Sequence, residues 1–248
     1  MRELDRNPST PPPPHRCAVV GAGRLGHALA AALSAAGLQV DGPLGRGADP
    51  AGAADAVLLC VPDAEIAAAA AAVTPGPLVG HCSGATGLAP LAGHEAFGLH
   101  PLVSVPRTGA PRFAGAGCAV AGSTERALVT ARALAAALGM RAVLVTDEDR
   151  AAYHAAASIA ANFLVVLEGA AERLAATAGV ERELLVPLAR GALEDWARLG
   201  AADALTGPVV RGDEATIAVQ RAAVAERTPE LLEVFDALLG ASRALVPA

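Results

Sequence analysis

The stretch VVGAGRLGHALAAAL, beginning at Val19, constrains this chain more than any other. A short apolar run ends in Gly21-x-Gly23-x-x-Gly26 and passes directly into an alanine-rich helical pattern. Glycines at these spacings carry meaning when they follow a buried strand and open a helix. Gly21 permits a tight turn, Gly23 lets a pyrophosphate approach the backbone, and Gly26 lets helix and strand pack closely. The helix N-terminus, with Arg24 and Leu25 in its first turn, offers free N–H groups and a positive dipole end to phosphates. This turn is therefore the expected cradle of a dinucleotide.

The surrounding rhythm agrees. Strands are expected at Cys17–Val20, Leu38–Val40, Ala56–Val61, Leu78–His81, Gly98–His100, Cys118–Ala121 and Ala142–Val145. Unbroken apolar runs such as AVLLCV are what a parallel strand buried on both faces looks like. Helices are expected between them at Leu25–Ala36, Asp63–Val73 and Thr124–Leu138. Alternation of this kind implies an α/β fold with a doubly wound parallel sheet. After Asp147 the strand signals stop, and helices are expected over about 147–178, 182–199, 214–226 and 229–245. Thr228-Pro229-Glu230 reads as a helix start with a capping hydroxyl, and Asp213 as a cap. The organisation is thus a proline-rich leader (1–15), a dinucleotide-binding α/β domain (16–146) and an all-α domain (147–248).

Which dinucleotide binds depends on the end of the second strand, GLQVDGPLGRG. An acid there would hold the ribose hydroxyls of NAD, and an arginine would suit the 2′-phosphate of NADP. Asp41 lies near the spacing expected of the acid, whereas Arg46 ends the extended segment. Asp41-Gly42-Pro43 breaks the strand pattern, since proline donates no ladder hydrogen bond. The balance favours Arg46 and NADP over NAD.

Ligands in a doubly wound sheet sit outside the carboxyl ends of the strands. Val61-Pro62 would flank the nicotinamide ribose there, with Asp63 beside them as a ligand contact or a plain helix cap. Ser83, in HCSGA, could bond cofactor or substrate, and His100 stands at the following strand end. His81, Cys82, His94 and His100 lack the paired spacing of a structural metal site, so no metal is expected.

The segment DRAAYHAAASIAANFL sets Arg150, His154, Ser158 and Asn162 four residues apart, a polar stripe on one helix face. An imidazole titrates near neutrality and can protonate a nascent alkoxide or amine, which makes His154 the candidate acid. Asn162 and Ser158 could orient a carbonyl or imine. Tyr153 lies about 100° around the helix and reads as half-buried packing. All 19 basic residues are arginine, so any mechanism needing a lysine is excluded. Arg211, in LTGPVVRGD, sits among glycines in a loop and could hold a carboxylate.

A net charge of −6 argues against a nucleic-acid surface. Asn162 and Glu168 interrupt the longest apolar stretch, so no membrane span is expected, and the leader has no apolar signal region. Cys17, Cys60, Cys82 and Cys118 show no paired spacing, which fits a reducing cytoplasm.

Taken in order, GAGRLG, HCSGA, GLHPL, GCAVAG, YHAAASIAANFLVVL and ALTGPVVRGD resemble a family of oxidoreductases that joins a Rossmann-like domain to a helical domain of unknown function. The resemblance covers nearly the whole chain from Arg16. Its cousins are the pyrroline-5-carboxylate reductases, prephenate dehydrogenases, β-hydroxyacid dehydrogenases and ketopantoate reductases of the 6-phosphogluconate-dehydrogenase-like superfamily. The resemblance implies NADP-linked reduction of a small keto acid or imine, and a homodimer formed through the helical domain. Where β-hydroxyacid dehydrogenases carry a lysine, this chain offers His154, as prephenate dehydrogenases do at a similar place. The alternative from another class is a dinucleotide-binding sensor or interaction module without turnover.

Overall fold

The computed structural model describes residues 13–45, 48, 50, 52 and 54–246. The chain forms two compact units, Met1–Ser158 and Ile159–Ala248.

The first unit is built on seven strands: β1 (Arg16–Val20), β2 (Gln39–Leu44), β3 (Ala56–Leu59), β4 (Leu78–His81), β5 (Ala96–Pro101), β6 (Gly117–Gly122) and β7 (Arg141–Leu144). They lie in the order β2-β1-β3-β4-β5-β6-β7. Strand order reverses beside β1, which has β2 on one side and β3 on the other. That reversal opens a crevice at the carboxyl ends, where such sheets bind ligands.

Three helices cover the sheet: α1 (Arg24–Ala35), α2 (Ile66–Ala71) and α3 (Glu125–Ala137). Successive residues of β1 feed opposite faces, as strand geometry demands. Cys17 and Val19 pack with Leu29 and Leu33 of α1 and Leu134 of α3. Ala18 and Val20 pack with Ile66 and Ala70 of α2. β1, β3 and β4 are covered on both faces, which is why they read as continuous apolar runs, whereas β7 is exposed along its length.

The α/β class is as expected, with two departures. β5 and β6 run antiparallel. The residues between them, 102–116, contain no helix, and an antiparallel neighbour needs no crossover helix to reach its place. The expected break at Asp41-Gly42-Pro43 does not occur either, because β2 continues through it to Leu44. Its pairing with β1 shifts register between Ala18 and Val20. Pro43 is tolerated because β2 is an edge strand and no further strand needs its missing N–H.

Among the described residues, every regular element after β7 is helical. α4 (Arg150–Ser158) closes the first unit. The second unit opens with a π-helical turn, Ile159–Phe163, and holds α5 (Leu164–Ala176), α6 (Arg182–Leu199), α7 (Ala201–Ala204), α8 (Glu214–Arg227) and α9 (Leu232–Leu245). Asp213 caps α8 as expected, accepting from the Thr216 N–H at 3.0 Å. Thr228 does not cap. Its hydroxyl turns back to the Val224 carbonyl at 3.5 Å, and the chain enters α9 through a 3₁₀ turn, Pro229–Leu231.

By length and composition the 27-residue helix Arg150–Ala176 could cross a membrane, with a mean hydropathy of 1.4 in its most apolar window. The interruption at Asn162 and Glu168 does not prevent this, because the many alanines keep the mean high. Among the described residues of the second unit, Ile217 and Val224 are its only buried apolar side chains. Val165, Leu184, Leu188, Trp196 and Val219 are all more than half exposed.

Candidate functional site

The glycine turn closes around the carbonyl of Cys60, the residue that follows β3. Gly21 has φ of 111°, and a Cβ there would collide with the Cys60 carbonyl oxygen. A Cβ at Gly26 would collide with the carbonyl of Gly21, so these two glycines are required by the protein's own packing. Gly23 is different: a Cβ there would meet nothing within 4 Å. Its side of the turn is open to something other than protein. Gly23 is also the N-cap of α1, with no side-chain cap and no acid in the first turn. An uncapped N-terminus keeps its N–H donors for an anion.

Beside the turn lies a cleft of about 310 Å³, lined by Gly23, Arg24 and Leu25 and by Val61, Asp63 and Ser83. Arg24 is anchored across it, donating to the Val105 carbonyl at 2.8 Å. Asp63 is not the expected cap: Pro62 holds that position, and no side chain caps the turn that follows. Asp63 Oδ2 instead accepts from the Ser83 hydroxyl at 2.7 Å and from the Thr86 hydroxyl at 3.0 Å. Ser83 Oγ in turn accepts from the N–H groups of Ala85 and Thr86, at 3.2 and 2.9 Å. The Ser83 hydroxyl is therefore committed to holding its loop against the end of β3. His81 pins the same loop from beneath: fully buried, it bonds the Gly87 carbonyl through Nε2 at 3.0 Å and accepts the Ser83 N–H on Nδ1 at 3.2 Å. Burial holds its pKa below the usual histidine value.

The loop leads from the cleft to three aromatic side chains. A Cβ on Gly84 would lie 2.7 Å from Cε1 of His100 and 2.7 Å from Cδ2 of His154, so both rings rest against this glycine. The ring centroids of His100 and His154 are 6.1 Å apart. His100 Nδ1 lies 2.7 Å from the hydroxyl of Tyr153. Burial, with the charges of His154 and Arg150 adding to it, lowers the His100 pKa to about 4. Burial likewise raises Tyr153 to about 12. At neutral pH both are uncharged, so the phenol can donate and the imidazole accept. Arg150 is itself buried and pairs with Asp147 at 3.2 Å.

The first unit thus brings together Gly21, Gly23, Arg24, Leu25, Gly26, Val61 and Ser83 around the cleft, and His100 and His154 around Gly84. Pro62 stands between Val61 and Asp63, as N-cap of a 3₁₀ turn at Asp63–Glu65. Ser158 is the last residue of α4 and half-buried. The four-residue stripe does not continue regularly to Asn162, because the π turn widens the helix there. Asn162 and Arg211 are exposed residues of the second unit. Asp41 lies inside β2 and is held by Arg16, Nε to Oδ2 2.8 Å. Arg46 lies outside the described residues. Among the described residues no group of three or more His, Cys, Asp or Glu side chains could hold a metal ion.

Residue reasoning missed Tyr153, Thr86 and the part played by Gly84. A lone tyrosine next to the candidate acid was the available signal, but helix spacing alone turns it off the stripe. Only the position of His100 on the neighbouring sheet gives it a partner.

Residues 116–241, just over half the chain, match the model of a domain of unknown function, DUF2520. The chain belongs to the DUF2520 family. No curated protein matches it. Among solved structures, it is similar to a protein described as a candidate NADP oxidoreductase from Bacteroides fragilis. The two are 19% identical with a TM-score of 0.78, over 93% of this chain and 98% of the other. Protein TM1727 from Thermotoga maritima is 22% identical, TM-score 0.72, over 92% and 97%. A 1-pyrroline-5-carboxylate reductase from Streptococcus pyogenes is 11% identical, TM-score 0.62, over 92% and 98%. At these identities the likeness establishes the DUF2520 chain's fold: a Rossmann-like unit followed by a helical one.

Proposed function

We propose that this DUF2520 protein is an NADP-dependent reductase of a small keto acid or imine. The observation that carries the reading is the turn at Gly23, open and uncapped, beside a cleft whose far loop reaches His100 and His154. Gly21, Gly23, Arg24, Leu25 and Gly26 would hold the pyrophosphate, and Val61 and Pro62 the nicotinamide ribose. NADPH, when bound, supplies the hydride.

The choice of NADP is supported by Asp41, whose carboxylate is already engaged by Arg16 within the sheet rather than standing free at a strand end. Arg46 follows the end of β2 and is the assigned partner of the 2′-phosphate. The names of the Bacteroides and Streptococcus proteins support reductase chemistry.

His154 is the assigned proton donor to the substrate oxygen or nitrogen. His100 is a poor donor at neutral pH, since its pKa of about 4 leaves it without the proton. It is better suited to accept a hydrogen bond and position its neighbours. Ser83 holds the loop that carries Gly84. Ser158, Asn162 and Arg211 are assigned to the substrate, Arg211 to its carboxylate. The exposed apolar side chains of α5 and α6 are read as a homodimer face. Glu168, Glu172 and Arg173 on α5 would be costly in a bilayer, which favours a protein partner over lipid. A cytoplasmic setting agrees with four cysteines carried as thiols.

The test pairs binding with turnover. Thermal shift with NADPH and NADH, on wild type and Arg46→Ala, should show a preference for NADPH that the variant loses. A screen of keto acids and cyclic imines should find turnover that His154→Ala abolishes while NADPH still binds. No shift with either nucleotide would overturn the reading.

A further inference from the structure

Cys60 and Cys82 follow directly from the paired strand ends Leu59 and His81, which are partners in the parallel β3–β4 ladder. Their sulfurs lie 3.7 Å apart. The other two cysteines are isolated in the core on β1 and β6, both almost fully buried. Cys60 is half-buried and Cys82 buried, and both line the cleft beside Gly23. The contact is thus the only close thiol pair among the described residues, and it sits in the wall of the candidate cofactor site.

We propose that Cys60 and Cys82 are an oxidisable dithiol, closed to a disulfide by peroxides, and that closure weakens dinucleotide binding. The second half rests on the dinucleotide reading; the first does not. Neighbouring strand positions satisfy the backbone separation a disulfide needs, and the sulfurs have to approach by less than about 2 Å, within reach of side-chain rotation. Cys60, the more exposed of the pair, reacts first from the cleft. Its thiolate takes one peroxide oxygen as the O–O bond breaks, giving a sulfenic acid and one water. Cys82 sulfur then attacks Cys60 sulfur. The hydroxyl leaves with the Cys82 proton as a second water, and the S–S bond forms. Two thiols and one peroxide become one disulfide and two waters.

The consequence for the cleft follows from what Cys60 touches. Its carbonyl backs Gly21, and its Cβ lies 3.4 Å from where a Cβ on Gly26 would stand. Drawing the Cys60 side chain toward Cys82 therefore acts on the residue against which the first and third glycines of the turn are packed. It also moves a side chain that lines the cleft itself.

The experiment treats the full-length reduced protein with hydrogen peroxide at stoichiometric excess. Free thiols are alkylated, peptides are mapped by mass, and NADPH affinity is measured before and after treatment. The expected result is a Cys60–Cys82 linked peptide, a fall in NADPH affinity of about tenfold, and recovery of both with dithiothreitol. Cys60→Ser and Cys82→Ser should each abolish the link, and the NADPH affinity of each variant, whatever its starting value, should be the same before and after peroxide. Both cysteines remaining alkylatable, or Cys60 passing to sulfinic acid without a link, would overturn the dithiol. A link that leaves NADPH affinity unchanged would overturn the control of binding. Failure of the reduced wild type to bind NADPH at all counts against the reductase reading, while the linked peptide still decides the dithiol.

Discussion

Acidification should destabilise the first unit through His100, and the size of the effect can be worked out. The ring is half-buried at the end of β5, bonded to Tyr153 and neighboured by His154 and Arg150, with Asp63 opposing them. Its pKa in the folded protein is about 4, against an ordinary 6.5. The unfolded chain therefore takes up a proton as pH falls through 6.5, and the folded chain does not until about 4. A depressed imidazole pKa favours the unfolded state throughout that window. The stability is complete above about pH 6.5, lost steadily below it, and flat again below about 4. Each pH unit inside the window costs about 1.4 kcal/mol, so going from pH 7.5 to pH 5 costs about 2 kcal/mol. His100→Asn keeps a hydrogen-bonding atom near the position of Nδ1 and removes the titration. Urea unfolding of both proteins at the two pH values should show wild type losing about 2 kcal/mol more than the variant. His81, also depressed, is common to both and cancels. Equal losses would refute the argument. An NMR titration placing the His100 midpoint near 6.5 would do so as well.

Gly84→Ala adds a methyl group 2.7 Å from both histidine rings, about 0.7 Å inside ordinary contact. A displacement of that size should lower turnover by about a hundredfold, with NADPH affinity nearly unchanged in a binding titration. Gly26→Ala should do the reverse damage, since its Cβ meets the Gly21 carbonyl. Overpacking of about 1–3 kcal/mol should lower the melting temperature, and calorimetric titration should show much weaker NADPH binding. Asp41→Ala should leave the NADPH-over-NADH preference as it is, because Asp41 is occupied by Arg16; a switch in preference would restore it as a ribose ligand. Leu188→Glu, at a side chain 73% exposed on α6, should convert a dimer to monomers in light scattering if α6 forms part of the proposed face.

The glycine turn and the strand rhythm were legible because their physics is local. A tight turn, a close helix–strand contact and burial on both faces each demand residue types that appear in order along the chain. The same holds for the six strands other than β2, whose apolar runs locate them within a residue or two. β2 was cut short because proline and glycine weigh the same in any strand until the sheet order shows that this one is an edge. The π turn at Ile159–Phe163 leaves no residue signature, so the stripe drawn at regular spacing overran it.

What the sequence by itself determined is the class of fold, the change to helices after β7, and a phosphate-competent turn, since these follow from spacing between near neighbours. What only the tertiary structure decided is which distant side chains meet. Tyr153 finds His100 across 53 residues, Asp63 finds Ser83 across 20, and Cys60 finds Cys82 across 22. Those meetings depend on strand order and register, which are set by burial of the whole sheet rather than by any segment of it. The Tyr153 environment and the thiol pair are therefore properties of the folded sheet edge.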